Sequence, residues 1–365
     1  MVASTNARCR GVSWIVVSGI VWATGVPLLK KMVDPERYTI PYIWWRMATL
    51  VAGYAMGVGA CCAAWPHTRT EWRTALRLAA MPIAWRIAGV LAIATAMTSF
   101  IVSMNMTYAA TVLLEFATMP FWAAGLDRCF RGERLEKATI AAMVVAALGV
   151  AILAIDGWVN ADEGDELHNA KLRPILGGVI GMFGAMGFAV FAVCQKTIEG
   201  NLAAKTGVSM SLWGAVLMVL GSSIAMLAKG GSNSGPMATP AQNIYLSVAH
   251  GIALLTGFTC YTAGTRYLPA AEAVLLSMLE IVIGIIFAVV FIDEVPTPLG
   301  AVGCSVTGLA VGFHGVRACR KSLGDAAHDD GGRKSHDALD AAAVVDAAAA
   351  ASDDSTSSSL QLTAV

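Results

Sequence analysis

The chain has 365 residues, 14% of them charged and 56% hydrophobic, with a formal net charge of zero and a mean hydropathy of +0.64. An ordinary soluble domain is about 25% charged, and a chain of this size cannot hide so much apolar surface in one core. Composition therefore excludes a water-soluble globule and calls for a lipid solvent.

A spanning helix needs about 20 mostly apolar residues. Ten such stretches follow one another, near 13–32, 39–60, 86–106, 108–127, 136–156, 174–197, 207–228, 243–266, 269–292 and 297–317. The first follows a short segment, 1–12, that carries Arg8 and Arg10; no small-residue cleavage site with a polar sequel comes after it, so it reads as an uncleaved signal-anchor. Only Asn105-Met106-Thr107 separates the third stretch from the fourth. An acidic loop at 157–173 carries Asp162, Glu163, Asp165 and Glu166. After the tenth stretch, residues 318–365 turn to Ala, Asp and Ser, too poor in apolar side chains to fold, and a disordered tail is expected. Its His328, Asp329, Asp330 and His336 read as a polar stretch rather than a metal site. The eight cysteines form no CxxC pair and read as small apolar fillers.

The stretches fall into two related halves. Thr107–Glu133 and Leu268–Glu294 overlay at an offset of 161 positions, which puts Ala109-Ala110 on Ala270-Ala271, Leu114 on Leu275 and Glu133 on Glu294. A unit with an odd number of spans enters the membrane upside down when it is repeated. The expected fold is an all-α integral membrane protein of ten transmembrane helices, built as two inverted five-helix repeats, 13–156 and 174–317.

Lys and Arg accumulate on cytoplasmic loops. With the amino terminus inside, sixteen lie at cytoplasmic ends, among them Arg69, Arg73, Arg128, Arg131 and Arg317. Six lie outside: Lys30, Lys31, Arg37, Lys171, Arg173 and Lys229. Both termini are expected in the cytoplasm, with the plasma membrane favoured and an organelle membrane open.

Around 107–155 and 262–315 the chain resembles the EamA-type transporters of the drug/metabolite transporter superfamily. The first copy carries Met119-Pro120, Gly132-Glu133-Arg134 and Gly149; the second carries Leu279-Glu280, Asp293-Glu294-Val295-Pro296 and Gly308. Trp22-Ala23-Thr24 and Arg46 also look like family positions. Ile281 stands where the family has Pro, so that helix is expected to be less kinked, and Asp293 replaces a Gly. The resemblance implies a carrier of small metabolites that works by alternating access.

Ionisable groups inside spans mark the place to seek a site, since each costs roughly 2.5–3.5 kcal/mol at mid-helix on insertion scales. Arg46, Glu115, His250, Glu280 and His314 stand out. At about 1.5 Å per residue, Arg46 and Glu115 lie at similar depth below the exterior surface and are close enough in depth to meet. Glu280 lies near the midplane, and His314 close to the cytoplasmic headgroups. Under the offset of 161, Glu115 and Glu280 share a helix face. One reading makes a carboxylate a proton carrier; another has Arg46 anchor an anionic group; a third has Arg46 and Glu115 merely neutralise each other. Trp122 is too deep for the interfacial belt to which Tyr42, Trp44 and Trp45 are assigned. Gly177, Gly178, Gly181, Gly184 and Gly187 permit close helix approach. Glu133 and Glu294 are read as helix caps, and Glu272 and Arg266 as a pair at the cytoplasmic mouth.

No GxxxxGK[ST] loop appears, which disfavours ATP-driven transport, and no enzyme signature is present. The expectation is a secondary transporter of a small organic metabolite, with no cofactor, no metal and no nucleic-acid partner. Its cavity is expected at the midplane, lined by Trp22, Arg46, Glu115, Trp122, His250 and Glu280. Proton coupling and a homodimer stay open. The alternatives are a membrane sensor that does not transport and an intramembrane lipid-modifying enzyme.

Overall fold

The computed structural model describes residues 7–79, 81–106, 112, 115–132, 135–159, 172–198, 201–228, 236, 239–292 and 297–320. Glu133, Arg134, Asp293, Glu294, most of the acidic loop and the tail beyond residue 320 lie outside them. The described residues form helices and no strand: α1 (Ala7–Ala23), α2 (Gly25–Lys30), α3 (Pro35–Ala64), α4 (Arg69–Leu76), α5 (Ile83–Met106), α6 (Met119–Arg131), α7 (Lys137–Val159), α8 (Leu172–Gln195), α9 (Asn201–Ala228), α10 (Ala241–Thr265), α11 (Ala270–Ser277), α12 (Leu279–Ile292) and α13 (Pro298–Arg320).

Among the described residues eight helices are long and apolar enough to cross a membrane. Two of these eight are pairs that run on as one, α1 with α2 and α11 with α12. A shorter apolar helix covers Lys137–Ile152, and α6 has 13 residues. This is an integral, multi-pass membrane protein. The outward side chains fit a lipid solvent: Ile224, Leu227, Leu309 and Phe313 are all exposed, on helices with few charges.

Three spans are interrupted, and each break carries the same local signature. Thr24 ends α1 and its Oγ1 donates to Val21 O at 2.7 Å. Thr118 precedes α6 and donates to Glu115 O at 2.6 Å. Ser277 ends α11 and donates to Val274 O at 2.7 Å. A hydroxyl that bonds back to the preceding turn competes with the backbone and bends a helix. The break at Met278 forms without a proline, against the expectation of a straighter helix at Ile281; the back-bond accompanies it, since Ser222, Ser247 and Thr262 make the same bond in unbroken helices.

Packing partners are few and specific. α5 packs chiefly on α8, α1 on α10, and α3 on α9 and α10. The α5–α8 seam depends on the glycine stripe. A Cβ on Gly187 would lie 2.6 Å from Ala92 O, a backbone atom that cannot turn aside. Beside the bundle, Glu71 on α4 accepts from Lys205, which holds its carboxyl below the usual carboxylate range.

Gly187→Leu is expected to destabilise the purified protein by about 1–3 kcal/mol through overpacking. Gly125→Leu, at an exposed site with nothing near its Cβ, is expected to stay within about 0.5 kcal/mol of wild type. Thermal unfolding in detergent separates the two.

Candidate functional site

The break regions line a cavity of about 410 Å³, within the range of small-molecule pockets. Its walls come from α1, α2, α3, α5, α6, α8, α10, α11 and α12, and include Trp22, Arg46, Met97, Phe188, His250, Phe258 and Glu280. Lys30, Pro35 and Asn105 lie at one end, where Lys30 and Pro35 are exposed, so the cavity opens there. Asn105 Nδ2 donates to Thr39 Oγ1 at 2.7 Å and ties α5 to α3 at this mouth. The opposite end is packed with rings: Trp22 meets Phe258 with centroids 4.9 Å apart, Phe188 at 5.7 Å and Tyr261 at 5.5 Å.

Arg46 is only 2% exposed, and its guanidinium is held inside the bundle by named partners. Nη2 donates to Met97 O, and Nη1 lies 3.5 Å from His250 Nε2. Tyr42 Oη lies 2.9 Å from His250 Nδ1. An arginine can only donate, and a neutral imidazole has one donor and one acceptor. His250 Nε2 must therefore accept from Arg46, which leaves Nδ1–H to donate to Tyr42. Gly25 leaves room for this ring: a Cβ there would stand 2.7 Å from His250 Nε2. Arg46 Nε and Trp22 Nε1 are buried without a hydrogen-bond partner among the described residues.

Glu280 lines the cavity from the first turn of α12, just past the break at Met278. The approach of α1 sets its place, since a Cβ on Gly19 would lie 3.3 Å from Glu280 N. Among the described residues neither Arg46 nor any other cation pairs with it.

The cavity thus brings together Trp22, Arg46, His250 and Glu280. Glu115 and Trp122 do not line it. Glu115 points at α8, where the missing side chain of Gly181 leaves it space, and among the described residues its Oε2 has no hydrogen-bond partner. No ion pair joins it to Arg46. The reason is register. The breaks at Thr118 and Met278 share one hydrogen-bond pattern, from 118 N to 115 O and 121 N to 118 O, and from 278 N to 275 O and 281 N to 278 O. That aligns them at 160 positions rather than 161, and one residue turns a helix by about 100°. Glu280 then stands where the first copy has Pro120, and Glu115 corresponds to Leu275. The two carboxylates therefore face different ways. Trp122 is 40% exposed on the outer surface, its Nε1 donating to Thr118 Oγ1 at 3.1 Å.

Other expectations change as well. Tyr42 is buried in the Arg46 cluster rather than in an interfacial belt. Glu272 pairs with Arg8, whose Nη2 donates to both carboxylate oxygens at 2.7 Å, and not with Arg266, which lies over the Tyr267 ring. His314 is buried, with both ring nitrogens lacking hydrogen bonds, instead of reaching headgroups. Asp127, which sequence reasoning passed over, is 1% exposed, with Arg131 Nη1 3.7 Å from its carboxylate. Its place near a span end and the Arg one turn later were the available signal.

Residues 9–155 and 175–314 each match the EamA-like transporter family. The chain belongs to that family. A probable terminal-alkyne amino-acid exporter of Streptantibioticus cattleyicolor is 27% identical over 220 residues, 59% of this chain and 66% of that protein, just short of two thirds of its length. A solved crystal structure of another protein, 17% identical, superposes with a TM-score of 0.61 over 86% of this chain and 98% of that one, a likeness of fold alone. Membership makes this EamA-like protein a membrane transporter in general and points away from an enzyme.

Tyr42→Phe removes the hydroxyl that, among the described residues, faces the His250 Nδ1 proton. Leaving that buried donor unpaired is expected to cost about 1–3 kcal/mol of stability, read as a lowered unfolding temperature in detergent.

Proposed function

We propose that this protein is a secondary transporter that moves a small organic metabolite by alternating access, through a cavity between two inverted five-helix repeats, 13–156 and 174–317. The family match in two consecutive segments supports the duplication. So does the packing, in which contacts come in corresponding pairs: α5 on α8 as α10 on α1, and α6 on α8 as α12 on α1.

The observation that carries the reading is the cavity itself. It holds ionisable side chains well inside the bundle, is open at the Lys30 end and is packed shut with rings at the other. With both termini in the cytoplasm, as the Lys and Arg bias argues, the mouth faces outward and the Arg8–Glu272 pair lies on the closed, inner side. Inward opening then requires the Trp22–Phe258–Tyr261 contacts to part and Arg8 to leave Glu272. A substrate or proton gradient drives the cycle, by exchange or symport, with Trp22, Arg46, His250 and Glu280 as the binding residues. The exporter-named relative supports outward movement of an amino-acid-like cargo, and the membrane we propose is the plasma membrane.

The test is uptake and counterflow in proteoliposomes against a metabolite library. Wild type is expected to carry at least one compound, Glu280→Gln to reduce its rate by about tenfold or more, which corresponds to about 1.4 kcal/mol, and Glu115→Gln to leave it within about twofold. Failure to carry any compound, with or without a proton gradient, would overturn the transporter reading. Equal loss in both variants would restore Glu115 to the site.

A further inference from the structure

We propose that a second pocket, between the end of α3 and α4, binds an anionic phospholipid: its phosphate on Arg69 and Arg73, and an acyl chain along the outer face of α3. The site lies outside the central cavity and does not depend on what that cavity carries.

α4 is fastened to α9 rather than to α3. Trp213 Nε1 donates to Leu76 O at 2.8 Å, Lys205 donates to Glu71, and the Lys205 ammonium lies 5.5 Å from the Trp72 ring centroid. On the α3 side this leaves a pocket of about 350 Å³, within the range of small-molecule sites. Gly59, Cys62 and Ala63 line it from α3, and Arg69, Trp72 and Arg73 from α4.

The charges of α4 are sorted between its two sides. Its one carboxylate, Glu71, is taken up by Lys205. Arg69 and Arg73 both line the pocket, and like charges one turn apart repel each other. Among the described residues neither guanidinium meets a carboxylate. Arg69 Nε donates to Cys62 O at 2.9 Å, which holds the group at the pocket wall and leaves its two Nη atoms to donate elsewhere. An arginine fork matches phosphate oxygens, and one phosphate between the two relieves their repulsion.

The apolar surroundings select a lipid over a soluble phosphate. Gly59 faces the pocket, and Ala52, Ala55 and Met56 stand on the same face of α3, all exposed on a helix long and apolar enough to span. A Cβ on Gly59 would meet nothing within 4 Å, so the pocket runs out over this strip of small residues. Trp65, 55% exposed, ends α3 at the level where tryptophans meet headgroups. A soluble anion would use the arginines and leave the strip bare. α3 starts at the cavity mouth, at Pro35, so the pocket lies at the closed end. With both termini in the cytoplasm, as proposed above, that end meets the inner leaflet, where anionic lipids set the surface potential.

The experiment uses the purified full chain, stripped of lipid in detergent, and four probes: dioleoyl phosphatidylglycerol, dioleoyl phosphatidylcholine (the same chains without net charge), glycerol 3-phosphate (a headgroup without chains) and inorganic phosphate. Binding is read as a rise in unfolding temperature, since a ligand of the folded state stabilises it, and again as lipid retained in native mass spectrometry. Phosphatidylglycerol is expected to bind best, with phosphatidylcholine weaker by about fivefold or more. The two soluble phosphates are expected to have no effect at millimolar concentration.

The variants separate a built site from a basic surface. Arg69→Gln and Arg73→Gln are each expected to weaken phosphatidylglycerol by about fivefold or more, the worth of one arginine at an anionic lipid. Gly59→Leu fills the pocket without altering charge, in open space that the fold tolerates, and is expected to cause a similar loss. Arg77→Gln removes an exposed arginine just past α4 that does not line the pocket, and is expected to stay within about twofold of wild type.

Four results overturn the inference. Phosphatidylglycerol may raise the unfolding temperature no more than phosphatidylcholine does. Arg77→Gln may cost as much as Arg73→Gln, which makes the attraction a diffuse surface charge. Glycerol 3-phosphate or inorganic phosphate may match the lipid, which makes the ligand a soluble phosphate. Gly59→Leu may leave the lipid bound, which takes it out of the pocket. Every readout is binding, so none of these outcomes bears on the transporter reading.

Discussion

A guanidinium inside an apolar bundle must have its donors met by protein, because lipid offers none. Arg46 meets this constraint by reaching the main chain of α5 at Met97 and the imidazole of α10 at His250, so a single side chain on α3 joins three helices. Tyr42, one turn earlier on α3, closes the circuit through the other ring nitrogen. Neither contact is a carboxylate. The charge is held in place without being neutralised, and this keeps a cation available in a cavity that is otherwise mostly apolar.

The same geometry requires backbone to come unusually close. His250 sits over Gly25, Trp22 over Gly257, and Gly251 packs against the backbone oxygen of Arg46 itself. A side chain at any of these glycines would displace a ring or the helix that carries Arg46. The helix breaks serve a related end. At Thr24, Thr118 and Ser277 a hydroxyl takes a carbonyl from the preceding turn, and the chain bends where the cavity needs width.

Much of this was legible in the residues. Apolar runs of spanning length gave the class, and the rarity of charge inside them singled out Arg46, His250 and Glu280 before any packing was known. Trp22 stood in a recognisable family setting. What escaped had physical causes. Depth along an axis is readable from a rise per residue, but azimuth is not: Arg46 and Glu115 lie on different helices, and nothing in spacing says that one turns to Met97 and the other to Gly181. An alignment by side-chain likeness slid by one position, enough to rotate Glu115 onto the wrong face. Tyr42 looked like an interfacial aromatic because aromatics near span ends usually are, although its spacing of four from Arg46 placed the two on one face. The break at Met278 was hidden because no proline marks it.

The substitution at the second break links these strands. At the matching place in the first copy stands Pro120, which lacks the amide proton and suits the opening turn of a helix. In the second copy that place is Glu280, and both breaks carry a hydroxyl back-bond, from Thr118 in one and Ser277 in the other. The second break forms without proline, so the position is free to carry an ionisable side chain. A carboxylate there enjoys the exposed amides of a helix amino terminus, which favour negative charge, and it projects into the cavity across from the arginine. The asymmetry between the two copies is thus concentrated at the cavity wall: one break carries a rigid apolar ring, the other a carboxylate that lines the cavity.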